Sequence, residues 1–169
     1  EEFDAKLAER MAAEYAEETD YRFILDAREY IINKANIALP EDFMKRWLFA
    51  ANQGKFTMEQ IEQEFPAFAK DFRWQTITQK IIKEQKLEIK KEDMLEQAKK
   101  LAKYQFASYG IPNVPEEYLV KHAESLITNE NESRRIFEKV EETKVLDYVR
   151  SVVTIEKKKI SLDKFQKLQ

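Results

Sequence analysis

Apolar side chains recur at helical spacing along almost the whole chain, and the longest such run comes first. Residues 4–36 contain neither glycine nor proline and are rich in alanine and glutamate. Their apolar stripe is narrow at Leu7, Met11 and Tyr15 and widens over 21–35. This pattern predicts one helix of about 45 Å. Because the stripe widens, we expect the second half of the helix to pack more deeply than the first.

A second helix is predicted to start at the residues Leu39 to Asp42, where a proline and two acids suit a first turn. Its apolar residues are Phe43, Met44, Trp47 and Leu48. The pattern fades toward Gly54, which indicates a turn. Thr57 and Gln60 then have the spacing of a capping box, in which each side chain accepts from the other residue's free amide. We expect a short helix there, interrupted by Pro66.

The stretch from Phe65 to Met94 is the one against which the other segments are expected to pack. Pro66 suits the first turn of a helix, because the amide hydrogen that it lacks would have no partner there. Steps of three and four then place Trp74, Ile77, Ile81 and Ile82 on one face. Alternation over Leu87–Ile89 predicts a short extended bridge. Glu92 and Asp93 supply negative charge where the next helix should begin.

The remaining sequence predicts two further helix boundaries and one irregular segment. The helix after Glu92 is expected to reach Tyr109 and to end at Gly110, a natural left-handed terminator. Two prolines make 111–115 the clearest irregular segment. The helix beyond it uses Tyr118, Leu119, His122, Leu126 and Ile127.

The last long helix is predicted from about Glu132 to Val152. The alternation at Val153–Ile155 echoes that at Leu87–Ile89, so both segments are candidates for short, paired strands. Ser161 is then expected to cap a final short helix that runs to Leu168.

Composition narrows the class of protein. The 169 residues fit one domain, and 36% charged residues with 2 glycines and 4 prolines favour long, solvent-exposed helices. The absence of cysteine excludes disulfides and thiol chemistry. A net charge of -3 gives no general attraction to nucleic acid or anionic membrane, and no apolar run is long enough to cross a bilayer. Since the chain starts without an initiator methionine, we expect it to be a piece of a longer protein.

The sequence offers no catalytic or metal-binding pattern. A phosphate loop needs clustered glycines, whereas Gly54 and Gly110 are isolated. Zinc sites use cysteine or several histidines, and the chain has a single histidine, His122. A helical di-iron site would need glutamate at the place of Leu119. We therefore expect no enzyme activity, cofactor or metal in this chain, and a place for His122 at the edge of a core.

Three stretches carry a resemblance to a known family. They are LPED at 39–42, FPAFAKDFRWQTITQKIIKEQKLEIKKEDM at 65–94 and KVEETKVLDYVRSVVTIEKKKISLDKF at 139–165. Their order and spacing, after an opening EEF and a long helix, resemble the C-terminal domain of trigger factor, the bacterial ribosome-associated chaperone. The resemblance covers essentially the whole chain.

This resemblance implies an elongated all-α domain with a long N-terminal helix and two projecting helical arms. The body would comprise 1–38 and 150–169, arm one 39–87, and arm two 90–149. The domain would be an ATP-independent, cytoplasmic chaperone that holds unfolded or nascent polypeptides in a helical cradle. The ribosome-binding domain and the peptidyl-prolyl isomerase domain of the family are not in this sequence, so any isomerase activity and any ribosome contact would belong to them. Self-association is left open, and no membrane or direct nucleic-acid partner is expected.

A chaperone needs exposed apolar surface, because burial stabilises a complex without directional demands. Methionine and aromatic side chains suit variable partners. The candidate polypeptide-binding residues are Phe43, Met44, Trp47, Phe49, Phe56, Met58, Phe68, Phe72, Tyr104, Phe106, Tyr109 and Ile111. Aromatics at helical spacing usually belong to a core. The residues off the main stripes or near turns, Phe49, Phe56, Tyr104 and Ile111, are therefore the strongest candidates for exposure.

Three other readings stay open at this point. A periplasmic chaperone of the parvulin-linked helical type shares the general architecture. A helical adaptor or oligomerisation module would use the same apolar face for one fixed partner, through a large dry interface. An enzyme without a recognisable motif is the third.

Overall fold

The computed structural model describes residues 2–156, 158–161 and 164–165. Over these residues the chain forms six α-helices and no strand, which confirms the predicted all-α class. The helices are α1 (Glu2–Ala35), α2 (Glu41–Ala51), α3 (Met58–Gln85), α4 (Lys91–Ser108), α5 (Glu116–Thr128) and α6 (Glu130–Val152).

The accessible surface shows that the domain is elongated. It amounts to 13569 Å², whereas a compact monomer of this mass would expose roughly 8,800 Å². The excess fits a structure in which long helices lie side by side over only part of their length.

Buried apolar residues form three clusters along the molecule instead of one core. The hairpin cluster, between α2 and α3, comprises Met44, Phe65 and Ala69. The junction cluster, among α1, α3 and α6, comprises Ile32, Trp74, Ile77, Val145, Leu146 and Val149. The bundle cluster, among α4, α5 and α6, comprises Ala98, Ala102, Leu119, Ala123, Leu126, Ile136 and Val140. Helix α3 therefore links the first two clusters, and α6 links the last two.

Helix α1 packs along its second half, as its widening apolar stripe predicts. Ile24, Ile31 and Ile32 contact the junction cluster, whereas Leu7 and Met11 are exposed. Arg150 of α6 reaches Asp20 at 3.1 Å and lies over the Phe23 ring, which holds the end of α6 against the middle of α1.

Helix α3 is continuous through Pro66, so the predicted interruption there is wrong. The capping box predicted at its start is confirmed: Thr57 Oγ1 accepts from Gln60 N at 3.2 Å, and Gln60 Oε1 accepts from Thr57 N at 2.9 Å. Pro66 is exposed, while Phe65 and Ala69 on either side of it are buried in the hairpin cluster. A proline removes one helical hydrogen bond at a cost of about 3 kcal/mol, and we attribute the continuity to the burial of this face.

Neither of the two alternating segments forms a strand, so the expectation of paired strands is wrong for the described residues. Lys86 ends α3 in the left-handed conformation (φ 51°), and Lys90 precedes α4 with an extended backbone. Between them, Leu87 packs against the junction cluster and Ile89 against the bundle cluster. The alternation therefore arises because one connecting segment contributes apolar side chains to two separate clusters.

The end of the chain is only partly described. Val153 has an extended backbone after α6. Residues 164–165 are helical, and Lys164 N and Phe165 N both donate to Ser161 O, at 3.1 and 3.0 Å. The rest of the expected helix up to Leu168 lies outside the described residues.

Candidate functional site

Helices α2 and α3 form an antiparallel hairpin. Arg73 donates from Nε to Ile37 O at 3.0 Å and pairs with Glu41 at 3.2 Å, so the start of α2 lies beside the middle of α3. The turn that joins the helices contains Gln53 and Gly54, both with positive φ (50° and 77°). These contacts fix which side of α2 faces α3.

One side of this hairpin carries aromatic rings that are accessible to solvent. On α2, Met44 and Leu48 face α3, whereas Phe43 and Trp47 are 59% and 55% exposed. On α3, Phe72 is exposed and Phe68 is half-buried, with ring centroids 6.1 Å apart and nearly parallel.

Helical geometry places these rings on the same side of the hairpin. Trp47 follows the buried Met44 by three residues, and Phe68 follows the buried Phe65 by three. In an antiparallel pair, equal offsets from the facing residues point to the same side of the layer. We call Phe43, Trp47, Phe68 and Phe72 the hairpin surface.

Three more candidates lie at the end of the hairpin, around its turn. Phe49, Phe56 and Met58 are all exposed. The predicted exposure of Phe49 and Phe56 is therefore confirmed. They add further uncovered apolar area near the turn of the hairpin.

A second uncovered surface lies where α4 ends and α5 begins. Tyr104 and Tyr109 are 74% and 81% exposed, and Ile111 and Tyr118 are exposed beside them in sequence. Gly110 turns the chain with φ 81°, and Ile111 N donates to Phe106 O at 2.9 Å. We call Tyr104, Tyr109, Ile111 and Tyr118 the tyrosine surface. The exposure predicted for Tyr104 and Ile111 is confirmed.

Two candidates, Met44 and Phe106, pack into the clusters and do not contribute exposed surface. Met44 is only 9% exposed and packs with Phe65 and Ala69, so including it among the exposed residues was wrong. Phe106 is half-buried against the bundle cluster, with its ring 5.1 Å from that of His122. Met44 is buried because the side of α2 that faces α3 is set by the packing partner, which the spacing of apolar residues does not identify.

Tyr118 is an exposed aromatic that sequence reasoning assigned to a helical stripe. Leu119, the next residue, is the one that is buried. Leu119 is buried because it packs in the bundle cluster. The spacing of apolar residues within α5 does not show which of the two neighbours faces that cluster.

Polar groups around the bundle link its helices through ion pairs. Lys99 of α4 reaches Glu116 of α5 at 2.8 Å and Glu96 at 3.2 Å, and these two carboxylates raise the pKa of Lys99. Lys144 of α6 reaches Asp93 of α4 at 2.8 Å. That contact, with the Lys90 amide, lowers the pKa of the Asp93 carboxyl.

His122 lies at the edge of the bundle, as predicted, with Nε2 2.9 Å from Gln105 Oε1. Among the residues that the structure describes, no group of His, Asp or Glu is placed to hold a metal ion. An open groove of about 160 Å³ runs between α4 and α6, past Asp93 and Lys144. It is smaller than the roughly 300–1,000 Å³ of most small-molecule pockets. None of the described helices is apolar enough over a sufficient length to span a membrane.

An all-helical domain with separate small cores and two uncovered apolar surfaces has the features of a module that binds other polypeptides. The family model described as "Probable trigger factor, C-terminal domain" matches residues 19–169. The match covers most of the chain, so the chain belongs to the trigger factor C-terminal domain family, as the sequence resemblance predicted.

Membership of this family gives the chain a chaperone-related role. In trigger factor, the C-terminal domain is the chaperone module and is distinct from the peptidyl-prolyl isomerase domain. The comparisons with curated proteins and with solved structures gave no match.

Proposed function

We propose that this chain is an ATP-independent chaperone domain that binds unfolded or nascent polypeptides on its two apolar surfaces. The observation that carries the proposal is the exposure of Phe43 and Trp47 on a helix whose Met44 and Leu48 already pack against α3. Contact between these rings and an apolar segment that a client has not yet buried removes apolar surface from water, and this stabilises the complex.

The expected affinity is moderate. Covering an exposed aromatic ring is worth about 2–3 kcal/mol, and the hairpin surface offers three exposed rings and the half-buried Phe68. Much of that gain is offset by the immobilisation of a flexible client. A surface of this size therefore suits repeated binding and release, with no need for a nucleotide to eject the client.

The wider setting is also proposed, and family membership supports it. The chain would act in the cytoplasm on chains leaving the ribosome, with ribosome binding and isomerase activity supplied by domains outside this sequence. The three clusters are compatible with a body formed by 1–38 and 150–169, one arm at 39–87 and another at 90–149. This division remains a proposal.

The test is binding of reduced, carboxymethylated lactalbumin, a polypeptide that cannot refold. The triple variant Phe43→Ser, Trp47→Ser and Phe72→Ser removes exposed rings of the hairpin surface and should weaken binding at least tenfold. The matched control Arg46→Ser, Gln63→Ser and Lys70→Ser changes three exposed polar residues on the same helices. It should bind like the original chain. Both variants should keep their helical circular dichroism.

Unchanged affinity of the ring-deleted variant would overturn the assignment of the hairpin surface. Failure of the original chain to bind any of several unrelated unfolded polypeptides, together with tight binding to one folded partner, would overturn the chaperone proposal. That result would favour a helical adaptor.

A further inference from the structure

One carboxylate of α6 is shared by two other helices. Glu142 Oε1 accepts a hydrogen bond from Trp74 Nε1 of α3 at 3.2 Å and lies 3.8 Å from the guanidinium of Arg28 of α1. Its other oxygen lies 2.7 Å from Lys139 Nζ on α6 itself. The Glu142 side chain is largely shielded from solvent, at 17% exposure.

The two partners of Glu142 also contact one another. The Arg28 guanidinium lies over the Trp74 ring, 5.5 Å from its centroid, and pairs with Asp71 one turn earlier on α3. Trp74 is almost completely buried in the junction cluster. A buried indole N–H needs an acceptor, and Glu142 supplies it.

This polar group sits where the two surfaces are joined. The hairpin surface is carried by α2 and α3, and the tyrosine surface by α4 and α5. Helix α3 contacts α6, and α6 contacts both α4 and α5. The angle at which α3 crosses α6 therefore sets how the hairpin points relative to the bundle. Apolar contacts in the junction cluster hold the helices together without direction. The contacts of the Glu142 carboxylate with Trp74 and Arg28, in contrast, have preferred geometries and are strengthened by its charge.

We infer that Glu142 is a positioning residue, which fixes the direction of the hairpin relative to the bundle so that one unfolded polypeptide contacts both surfaces at once. The inference rests on the proposed function and adds to it a requirement for correct spacing. Two weak surfaces in a fixed arrangement bind a long client far more tightly than either does alone, by factors of about 10² to 10⁴. When the relative arrangement of the two surfaces varies, much of this gain in affinity is lost.

The geometric test measures the distance between the hairpin and the bundle. Because the chain contains no cysteine, the substitutions Lys70→Cys on α3 and Lys121→Cys on α5 allow two spin labels to be attached at unique, exposed positions. Glu142→Gln keeps an oxygen for the indole N–H and removes the charge that Arg28 and Lys139 face. We expect a broader distance distribution by pulsed electron spin resonance, with helicity unchanged.

Glu138→Gln is the matched control, because it removes a carboxylate one turn earlier on α6 whose partner, Arg134, lies on the same helix. Its distance distribution should equal that of the original chain. Arg28→Gln is the second variant, should Glu142→Gln lose helicity. It removes the cation and leaves the Trp74–Glu142 hydrogen bond in place, and it should also broaden the distribution. An unchanged width in the folded variants would overturn the inference.

The binding test compares carboxymethylated lactalbumin with a six-residue aromatic peptide, which spans at most about 21 Å. Glu142→Gln should weaken binding of the long polypeptide at least about tenfold and that of the peptide less than twofold. Equal weakening of both would show a purely structural role and overturn the inference. If the original chain binds neither probe, the proposed function fails, whatever the spin-label distances show.

Discussion

The hairpin and the bundle differ in how completely they bury their apolar side chains. In the bundle, each of three helices has two neighbours, and Ala98, Ala102 and Ala123 are fully buried where the helices approach most closely. In the hairpin, α2 packs against α3 through a small cluster, and three aromatic residues of α2 remain exposed to water. In the bundle a third helix covers apolar side chains, whereas α2 makes extensive contacts only with α3 among the described helices.

The exposed rings differ accordingly. The bundle exposes mainly tyrosines, such as Tyr104 and Tyr109, whose hydroxyl groups water can solvate. The hairpin exposes phenylalanine and tryptophan. The free energy of exposure to water is therefore less favourable for the hairpin surface than for the tyrosine surface. We expect the hairpin surface to contribute the larger share of client binding.

The largest predicted effect tests how little holds the hairpin together. Phe65, only 3% exposed, fills most of the hairpin cluster. Phe65→Ala should cost about 3–5 kcal/mol in free energy of unfolding, measured by urea denaturation, and should increase hydrogen exchange in α2 first. Phe43→Ala, on the exposed side, is the control and should stay within about 0.5 kcal/mol. Equal losses for both would contradict the assignment of the two sides.

The next prediction tests close approach in the bundle. Ala123 of α5 has no exposed surface and lies in the bundle cluster with Ala98 and Ala102 of α4. Ala123→Leu should force the helices apart and cost about 1–3 kcal/mol in unfolding free energy. Ala107→Leu, at an exposed position of α4, should change stability by less than about 0.5 kcal/mol. A stabilising Ala123→Leu would mean that the bundle contains unfilled space.

Helix ends were predictable because their chemistry is local. The capping box at Thr57 and the turn at Gly110 each depend on a few neighbouring residues, and both are present. Pro66 was misread for the opposite reason. The helical hydrogen bond that proline removes is a local cost. The burial of Phe65 and Ala69 against α2, which offsets that cost, cannot be recognised from the neighbouring sequence.

The candidate site shows the same limit. Phe43 and Met44 are neighbours of similar hydrophobicity, yet one is exposed and the other is buried. The difference arises because α3 packs against the side of α2 that carries Met44. The apolar residues Leu87 and Ile89 alternate with polar ones because they pack against two different clusters. A strand prediction does not consider this cause.

A smaller effect is expected from the cap of α3, which supports the hairpin alone. Thr57→Ala removes the acceptor for the Gln60 amide and should cost about 1 kcal/mol in unfolding free energy. Thr57→Ser keeps that acceptor and should cost much less. Thermal denaturation measures both. A loss as large for serine as for alanine would show that the methyl group, not the hydroxyl, matters at this position.

Acid should weaken one contact that braces the bundle. The Lys144 ammonium, followed by the Lys90 amide, holds the pKa of Asp93 below its ordinary value. A lowered pKa in the folded state stabilises the fold above the ordinary value, and this stabilisation is lost as the pH falls through the lowered one. Asp93→Asn should therefore reduce the melting temperature at pH 7, with a difference from the original chain that shrinks toward pH 2. A constant difference would exclude the ionised carboxylate as the cause.

Glu141 should show the opposite sign, and the effect is expected to be the smallest. Burial, followed by repulsion from Glu138, raises the pKa of Glu141 above its ordinary value. A raised pKa in the folded state means that the group's contribution to stability is complete in acid and is lost as the pH rises through the raised value. Glu141→Gln removes the charge and should raise the melting temperature at pH 7 relative to the original chain, with a smaller gain at pH 4. Glu138→Gln should reproduce part of this gain by removing the repulsion. If Glu141→Gln lowers the melting temperature equally at both pH values, the carboxylate stabilises the bundle through a hydrogen bond instead.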